Sequence, residues 1–280
     1  MLEHDWHTIG SFLNVVTYRM PIMLEHSWLK QQTTTNHDPL YTQSCAKKEK
    51  INLLWPRSFC TSCKKQIRLQ DNIPILSYIA LRGKCAWCST KISLRYPVIE
   101  AITAILSMVT VWKLGPTWTS IAVLPLLWSL IALSAIDFEK QILPNQITFP
   151  LIWAGLLLSL VSIDEKPLLT NLDSSLIGAT AGYLTLWIIY KIFWMFTGKE
   201  GIGYGDFKLL AALGAWLGWQ SLPTILLISA SSGIFMGLIG IFFFDHSRHD
   251  PIPFGPYLAM AGWIALLWED QLIHFVWTVF

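Results

Sequence analysis

Asp206 stands behind three glycines, at positions 201, 203 and 205, at the mouth of the apolar run 209–219. A carboxylate at such an edge is functional, paired or costly. Glycines have no Cβ, so the backbone there can turn sharply and approach a ligand closely. The stretch predicts a loop that delivers Asp206 to a helix start; a water-facing helix N-cap would use the same residue types. Asp137 tips the balance toward chemistry. It follows the apolar run 118–136 and precedes Leu143, Pro144 and Asn145 in a second membrane-edge loop. Two carboxyls in one small site repel, so one keeps its proton while the other is ionised. That asymmetry supplies a base for water and an acid for a peptide oxygen and its leaving amine, with no metal required. Other hydrolytic systems fit worse: there is no GxSxG elbow and no HExxH pair, and the seven histidines are scattered.

A second constellation is Cys60 with Cys63 and Cys85 with Cys88, two CxxC pairs separated by twenty-one residues. Each pair can set two thiolates on one tight turn, and two such turns complete the tetrahedral S₄ site that zinc favours. The gap is one residue above the usual zinc-ribbon range of about 15–20. The alternative is two disulfides, which a basic, cytoplasm-facing loop in a reducing compartment disfavours. Four sulfurs leave no position for water, so the metal is expected to be structural. Cys45 reads as a free thiol in a linker.

The elements that must position these groups are membrane helices. Of 280 residues 53% are hydrophobic, 14% are charged and fifteen are tryptophan, a composition that excludes an ordinary soluble domain. Apolar runs at 98–112, 118–136, 147–163, 176–196, 209–219, 222–244 and 257–268 predict an all-α polytopic membrane protein. About seven to eight transmembrane helices are expected, with a small cytoplasmic zinc-ribbon-like domain. Thirteen of the twenty Lys and Arg fall between Arg19 and Arg95, which places that segment in the cytoplasm under the positive-inside bias. Counting spans from there brings Asp137 and Asp206 out on the same, cytoplasmic face. The apolar run 9–16 is too short to span, Arg19 and Pro21 are expected to end its helix, and residues 31–49 read as a flexible linker. The expected division is 1–21, an N-terminal membrane segment; 22–96, a cytoplasmic domain with the double CxxC site; and 97–280, a transmembrane aspartyl peptidase domain. Gly178 with Gly182, and Gly214 with Gly218, have the spacing that lets helix backbones approach closely in lipid. Trp216 and Trp219 read as interface anchors, and the loop 250–256 as a stiff connector.

The motifs together resemble the bifunctional type IV prepilin leader peptidases. Gly203, Tyr204, Gly205 and Asp206 look like that family's GxGD signature; Ile136 and Asp137 followed by Leu143, Pro144 and Asn145 look like its first aspartate motif; Pro253, Phe254, Gly255 and Pro256 match its late loop. Gly10 to Val16, Tyr18 to Pro21, the double CxxC and Ser93 to Pro97 resemble its N-terminal domain. The resemblance implies a catalytic pair, Asp137 and Asp206, that cuts leader peptides of type IV prepilins and secretion pseudopilins after a glycine on the cytoplasmic side. It also implies zinc on Cys60, Cys63, Cys85 and Cys88, and N-methylation of the new terminus with S-adenosylmethionine, whose site no motif marks. The partners are then prepilins, pseudopilins and the lipid bilayer of the bacterial inner membrane, with no nucleic acid. Many members carry a second Asp two residues after the first, where this chain has Glu139, which leaves Asp137 as the choice. Members also begin with a full apolar helix, most of which is missing before Ile9, so the N-terminal segment is expected to be truncated. The competing reading is a polytopic transporter or channel with a cytoplasmic zinc module, since intramembrane acids are common there. Transporter sites lie near the midplane, however, and both acids here map to one edge. Cysteine-accessibility labelling is expected to place Asn145 and Gly203 in one compartment and Thr117 and Asn171 in the other; opposite faces for Asn145 and Gly203 would dissolve the pair.

Overall fold

A computed structural model describes residues 5–35, 75–163, 165–199, 201–243 and 253–279, together with 52, 53, 55, 58–60, 62–68, 71 and 73. Cys45, residues 36–49 of the expected linker and residues 250–252 of the proline loop lie outside them. The described chain is helical, with one two-residue hairpin. It divides into two compact units, Met1–Met108 and Val109–Phe280.

The first unit contains α1 (Asp5–Thr35), α2 (Leu76–Ala80) and the beginning of α3 (Arg95–Leu114). Here the structure corrects an expectation, because α1 runs unbroken through Arg19 and Pro21 and includes residues 31–35. Arg19 does not need to leave for water: it is buried, and its Nη1 donates to the carbonyls of Asn52 at 2.8 Å and Leu53 at 3.4 Å. Proline costs a helix one internal hydrogen bond, and tertiary contacts outweigh that loss here. Gly10 lets α1 lie against α3, since a Cβ there would sit 3.0 Å from Glu100 Cα.

The second unit holds the end of α3, then α4 (Trp118–Lys140), α5 (Asn145–Leu158), the hairpin β1 (Ser162–Ile163) with β2 (Lys166–Pro167), α6 (Leu172–Thr197), α7 (Tyr204–Leu217), a 3₁₀ turn (Trp219–Ser221), α8 (Leu222–Phe243) and α9 (Gly255–Val279). Thr117 caps α4 in a reciprocal box with Ser120, and the Asn171 side chain caps α6, satisfying N–H groups that have no partner inside their helices. The strands pair antiparallel, Ser162 with Pro167 and Ile163 with Lys166. α5 therefore stops at Leu158, and the apolar run read as continuing to Ile163 ends in a turn. α9 is broken at Trp268, where φ is −126°.

Among the described residues four helices are long and apolar enough to cross a membrane, Arg95–Leu114, Trp118–Lys140, Leu172–Thr197 and Trp219–Gly240; Asn145–Leu158 and Gly255–Trp268 are shorter apolar helices. The fold is that of an all-α membrane protein. α7 is short for a different reason: it is buried almost all round, by α5, α6 and α9, and a helix apolar on every side belongs in a core. Its contact with α6 is backbone to backbone. A Cβ on Gly178 would collide with the Gly214 carbonyl oxygen, and one on Gly182 would lie 2.7 Å from the Leu210 oxygen. Trp216 is likewise not an interface anchor. It is 2% exposed and its Nε1 donates to the Leu151 carbonyl at 2.8 Å, in a slot that Gly155 leaves open, where a Cβ would stand 2.6 Å from the indole. Replacing Gly214 with Val is expected to lower stability by about 1–3 kcal/mol, the usual cost of overpacking, read as a lower thermal midpoint in detergent. Gly233→Ala, whose Cβ would meet Tyr257 at an ordinary 3.6 Å, is the comparison expected not to lower it.

Candidate active site and metal centre

Asp137 lies in the last turn of α4. Gln141 closes that helix in the left-handed conformation, φ 53°, and donates its N–H to the Asp137 carbonyl at 2.8 Å. The chain turns through Leu143, and Pro144 leads into α5 with its fixed φ of −62°. The Asp137 carboxylate is only 5% exposed, and its Oδ2 accepts the Gly255 N–H at 3.0 Å. Gly255 opens α9, so this donor has no partner within its own helix and sits at the positive end of the dipole, where an anion is stabilised. The contact depends on glycine: a Cβ at 255 would lie 2.7 Å from the same oxygen.

Asp206 is in the first turn of α7, with Gly203 as N-cap. Its own N–H goes to the Gly203 carbonyl at 3.1 Å, and its Oδ2 lies against Gly203, where a Cβ would stand 3.3 Å away. Asp206 is 7% exposed, and its Oδ1 has no hydrogen-bond partner among the described residues. The Asp137 carboxylate is near enough for the two charges to repel. Leu143 holds the two loops together. A Cβ on Gly205 would sit 2.6 Å from the Leu143 Cβ, and one on Gly255 3.3 Å from Leu143 Cδ2, so the leucine fills a notch that both glycines leave. Lys208 ties the start of α7 to the start of α5, donating to Asn145 Oδ1 at 2.7 Å above the Phe149 ring. Behind Asp206, Tyr190, Tyr204 and Phe207 form an aromatic cluster with centroids 5.4–5.7 Å apart.

The structure thus brings together the two carboxylates that the sequence singled out, while Glu139, two residues on, is exposed. Two carboxyls so placed can share a proton and engage a water and a carbonyl oxygen at once. Sequence reading missed the Gly255 donor, taking its loop as a connector. The signal was a glycine followed by Pro256, the pattern of a helix start, where proline is favoured in the first turn.

The four cysteines converge in the first unit, with all sulfurs within 4.8 Å of one another and Cys60 Sγ 3.7 Å from Cys88 Sγ. All four are free thiols, which sets aside the disulfide alternative. The two turns are built alike. Lys64 donates to the Cys60 carbonyl with φ 59°, and Ser89 to the Cys85 carbonyl with φ 56°. Isolated bridges, Phe59 with Gln66 and Lys84 with Lys91, close each turn. Zinc–sulfur bonds of about 2.3 Å in a tetrahedron require sulfurs about 3.8 Å apart, so donor set and spacing fit a metal ion such as zinc.

Two family models match the chain: the bacterial peptidase A24 N-terminal domain over residues 7–114 and the type IV leader peptidase family over residues 124–238. Similar proteins include a prepilin leader peptidase/N-methyltransferase of Aeromonas hydrophila, 50% identical over 273 residues, covering 97% of this chain and 91% of that protein. Proteins of the same description from Pseudomonas putida and Legionella pneumophila are 46% and 40% identical; they cover 94% and 95% of this chain and 88% and 90% of their own lengths. No solved structure matches. Reduced, purified protein is expected to carry one zinc per chain by elemental analysis, and Cys60→Ser or Cys85→Ser to release it and expose residues 60–88 to proteolysis, since ligation and folding of such modules are coupled; metal-free wild-type protein would remove the site.

Proposed function

The chain belongs to the type IV leader peptidase family, and from that premise we propose that it is a membrane-embedded aspartyl endopeptidase and N-methyltransferase. It removes the leader peptides of type IV prepilins and secretion pseudopilins after a glycine and methylates the new amino terminus. The membership replaces the transporter or channel reading. The single observation that carries the peptidase assignment is the pair of buried carboxylates at two helix ends, one anchored by a backbone N–H and the other with an unpartnered oxygen. With one proton between them, the ionised member takes a proton from water while the protonated member donates to the scissile carbonyl oxygen, and the proton then passes to the leaving amine. The roles belong to the pair, which titrates as a unit. We assign the reaction to the cytoplasmic face of the inner membrane, a reading supported by the thirteen Lys and Arg between Arg19 and Arg95.

We assign methyl transfer to the amino half, where the cysteine turns would hold zinc and the metal would fix the fold of residues 60–88. When bound, S-adenosylmethionine supplies an electrophilic methyl group, which the neutral amine accepts with loss of a proton while the sulfonium becomes a thioether. Asp137→Asn and Asp206→Asn are each expected to lower prepilin cleavage by at least about 10²- to 10⁴-fold, measured by product mass in detergent. The double variant should be little worse than either, because members of one catalytic unit are not additive. Glu139→Gln should cleave almost normally. Near-normal cleavage by a properly inserted Asp206→Asn protein, or inhibition by chelators and not by these substitutions, would overturn the aspartyl mechanism.

A further inference from the structure

The first unit contains a cavity of about 390 Å³ bounded by α1, the turn before α2, the second cysteine turn and the start of α3. That volume is within the range of about 300–1,000 Å³ typical of small-molecule sites. The walls combine apolar and aromatic side chains, Tyr18, Tyr78 and Tyr96 among them, with serines and the polar or charged Asn14, Arg19, Asp71, Lys91 and Glu100. Among these, Asn14 is 5% exposed and strictly placed: its Nδ2 donates to the Tyr96 carbonyl at 3.1 Å and to Glu100 Oε1 at 3.0 Å, so the amide cannot be turned round. Its Oδ1, buried, has no partner among the described residues. A buried acceptor left so is costly unless a ligand donates to it. Glu100 beside it is held in place by the Ile75 N–H on Oε2 at 3.0 Å, so the acid is positioned before anything binds.

We propose that S-adenosylmethionine binds in this cavity, with Asn14 Oδ1 and the Glu100 carboxylate receiving its cationic and hydroxyl-bearing groups and the tyrosine faces receiving its adenine and sulfonium. The proposal rests on the methyltransferase reading and gives it a place. The cofactor carries donors that suit a carbonyl oxygen beside a fixed anion: an ammonium group, ribose hydroxyls and an exocyclic amine. Its sulfonium is a cation of the kind that aromatic faces attract. Arg19, which also borders the cavity, supplies charge of the sign that a carboxylate requires. Cys60 and Cys85 border the cavity as well, so the metal centre fixes one wall. This explains physically why a closed structural metal site belongs to the half of the chain that transfers methyl groups.

The test uses the full chain in detergent with zinc bound. Equilibrium dialysis with radiolabelled S-adenosylmethionine should show one site in the wild-type protein. Asn14→Leu and Glu100→Gln should each weaken it about 10- to 100-fold, the value of a hydrogen bond to a charged group, with zinc content and elution volume unchanged. Because Asn14 also supports Tyr96, hydrogen–deuterium exchange on the wild type is the second readout: S-adenosylhomocysteine should protect residues 11–19, 75–78 and 96–100. Binding with protection elsewhere, or variants that keep zinc and bind as tightly as wild type, would overturn the site while leaving the methyltransferase reading in place. No binding to the zinc-loaded wild type would overturn both.

Discussion

Two carboxylates that repel one another are held side by side at helix ends inside an apolar bundle, and much of the second unit is arranged around that constraint. Burial of like charges is unfavourable unless backbone donors and a shared proton offset it. Asp137 accepts the N–H that opens α9, and Asp206 lies in the first turn of α7 beside its cap, Gly203. Both carboxylates thus meet helix starts, where N–H groups have no internal partner and the dipole favours an anion. For these starts to converge, the chain must pass close to itself, and glycines at 205 and 255 with Leu143 between them provide the clearance. The same requirement recurs one layer down. α7 can carry Asp206 to its place only if α6 lies against it at backbone distance, which Gly178 and Gly214 permit.

How much of this was legible in the sequence follows from how far apart the causes lie along the chain. Apolar runs report helices because periodicity and length are local, and α4, α6 and α8 match them closely. The two aspartates and the four cysteines were legible for a related reason: each sits in a short, distinctive loop whose glycines or paired thiols carry the message. What was not legible depended on partners far away in sequence. Arg19 and Pro21 look like a helix end because the carbonyls of Asn52 and Leu53 that receive the guanidinium stand more than thirty residues on. Trp216 looks like a membrane anchor because the slot it fills is opened by Gly155. Gly255 looks like part of a connector because the carboxylate it serves is 118 residues away. The shortness of α5 was hidden for the opposite reason, since Val161 and Ile163 are apolar yet belong to a turn and hairpin.

The cysteine site solves a similar problem of clustered charge by different means. Four thiols are brought within 4.8 Å by two turns of the same construction, and each turn places a residue with a side chain, Lys64 or Ser89, in the left-handed region. Such a conformation costs of order 1–3 kcal/mol outside glycine and persists only where the surroundings over-determine it. Among the described residues each turn is held by a bridge, Phe59 with Gln66 or Lys84 with Lys91, by hydrogen bonds between neighbours, and by Lys64 over the Phe59 ring and Lys65 and Arg68 over the Trp87 ring. A bound divalent ion would add a further constraint, since four thiolates gain more from it than they lose to mutual repulsion, and ligation contributes directly to the folding of such modules. The strained positions also explain why the two turns match in detail. The residue after each CxxC is left-handed in both turns, so one backbone geometry is used twice. In the peptidase unit the compensating groups are part of the chain itself, which is why that site needs glycines where this one tolerates lysine and serine.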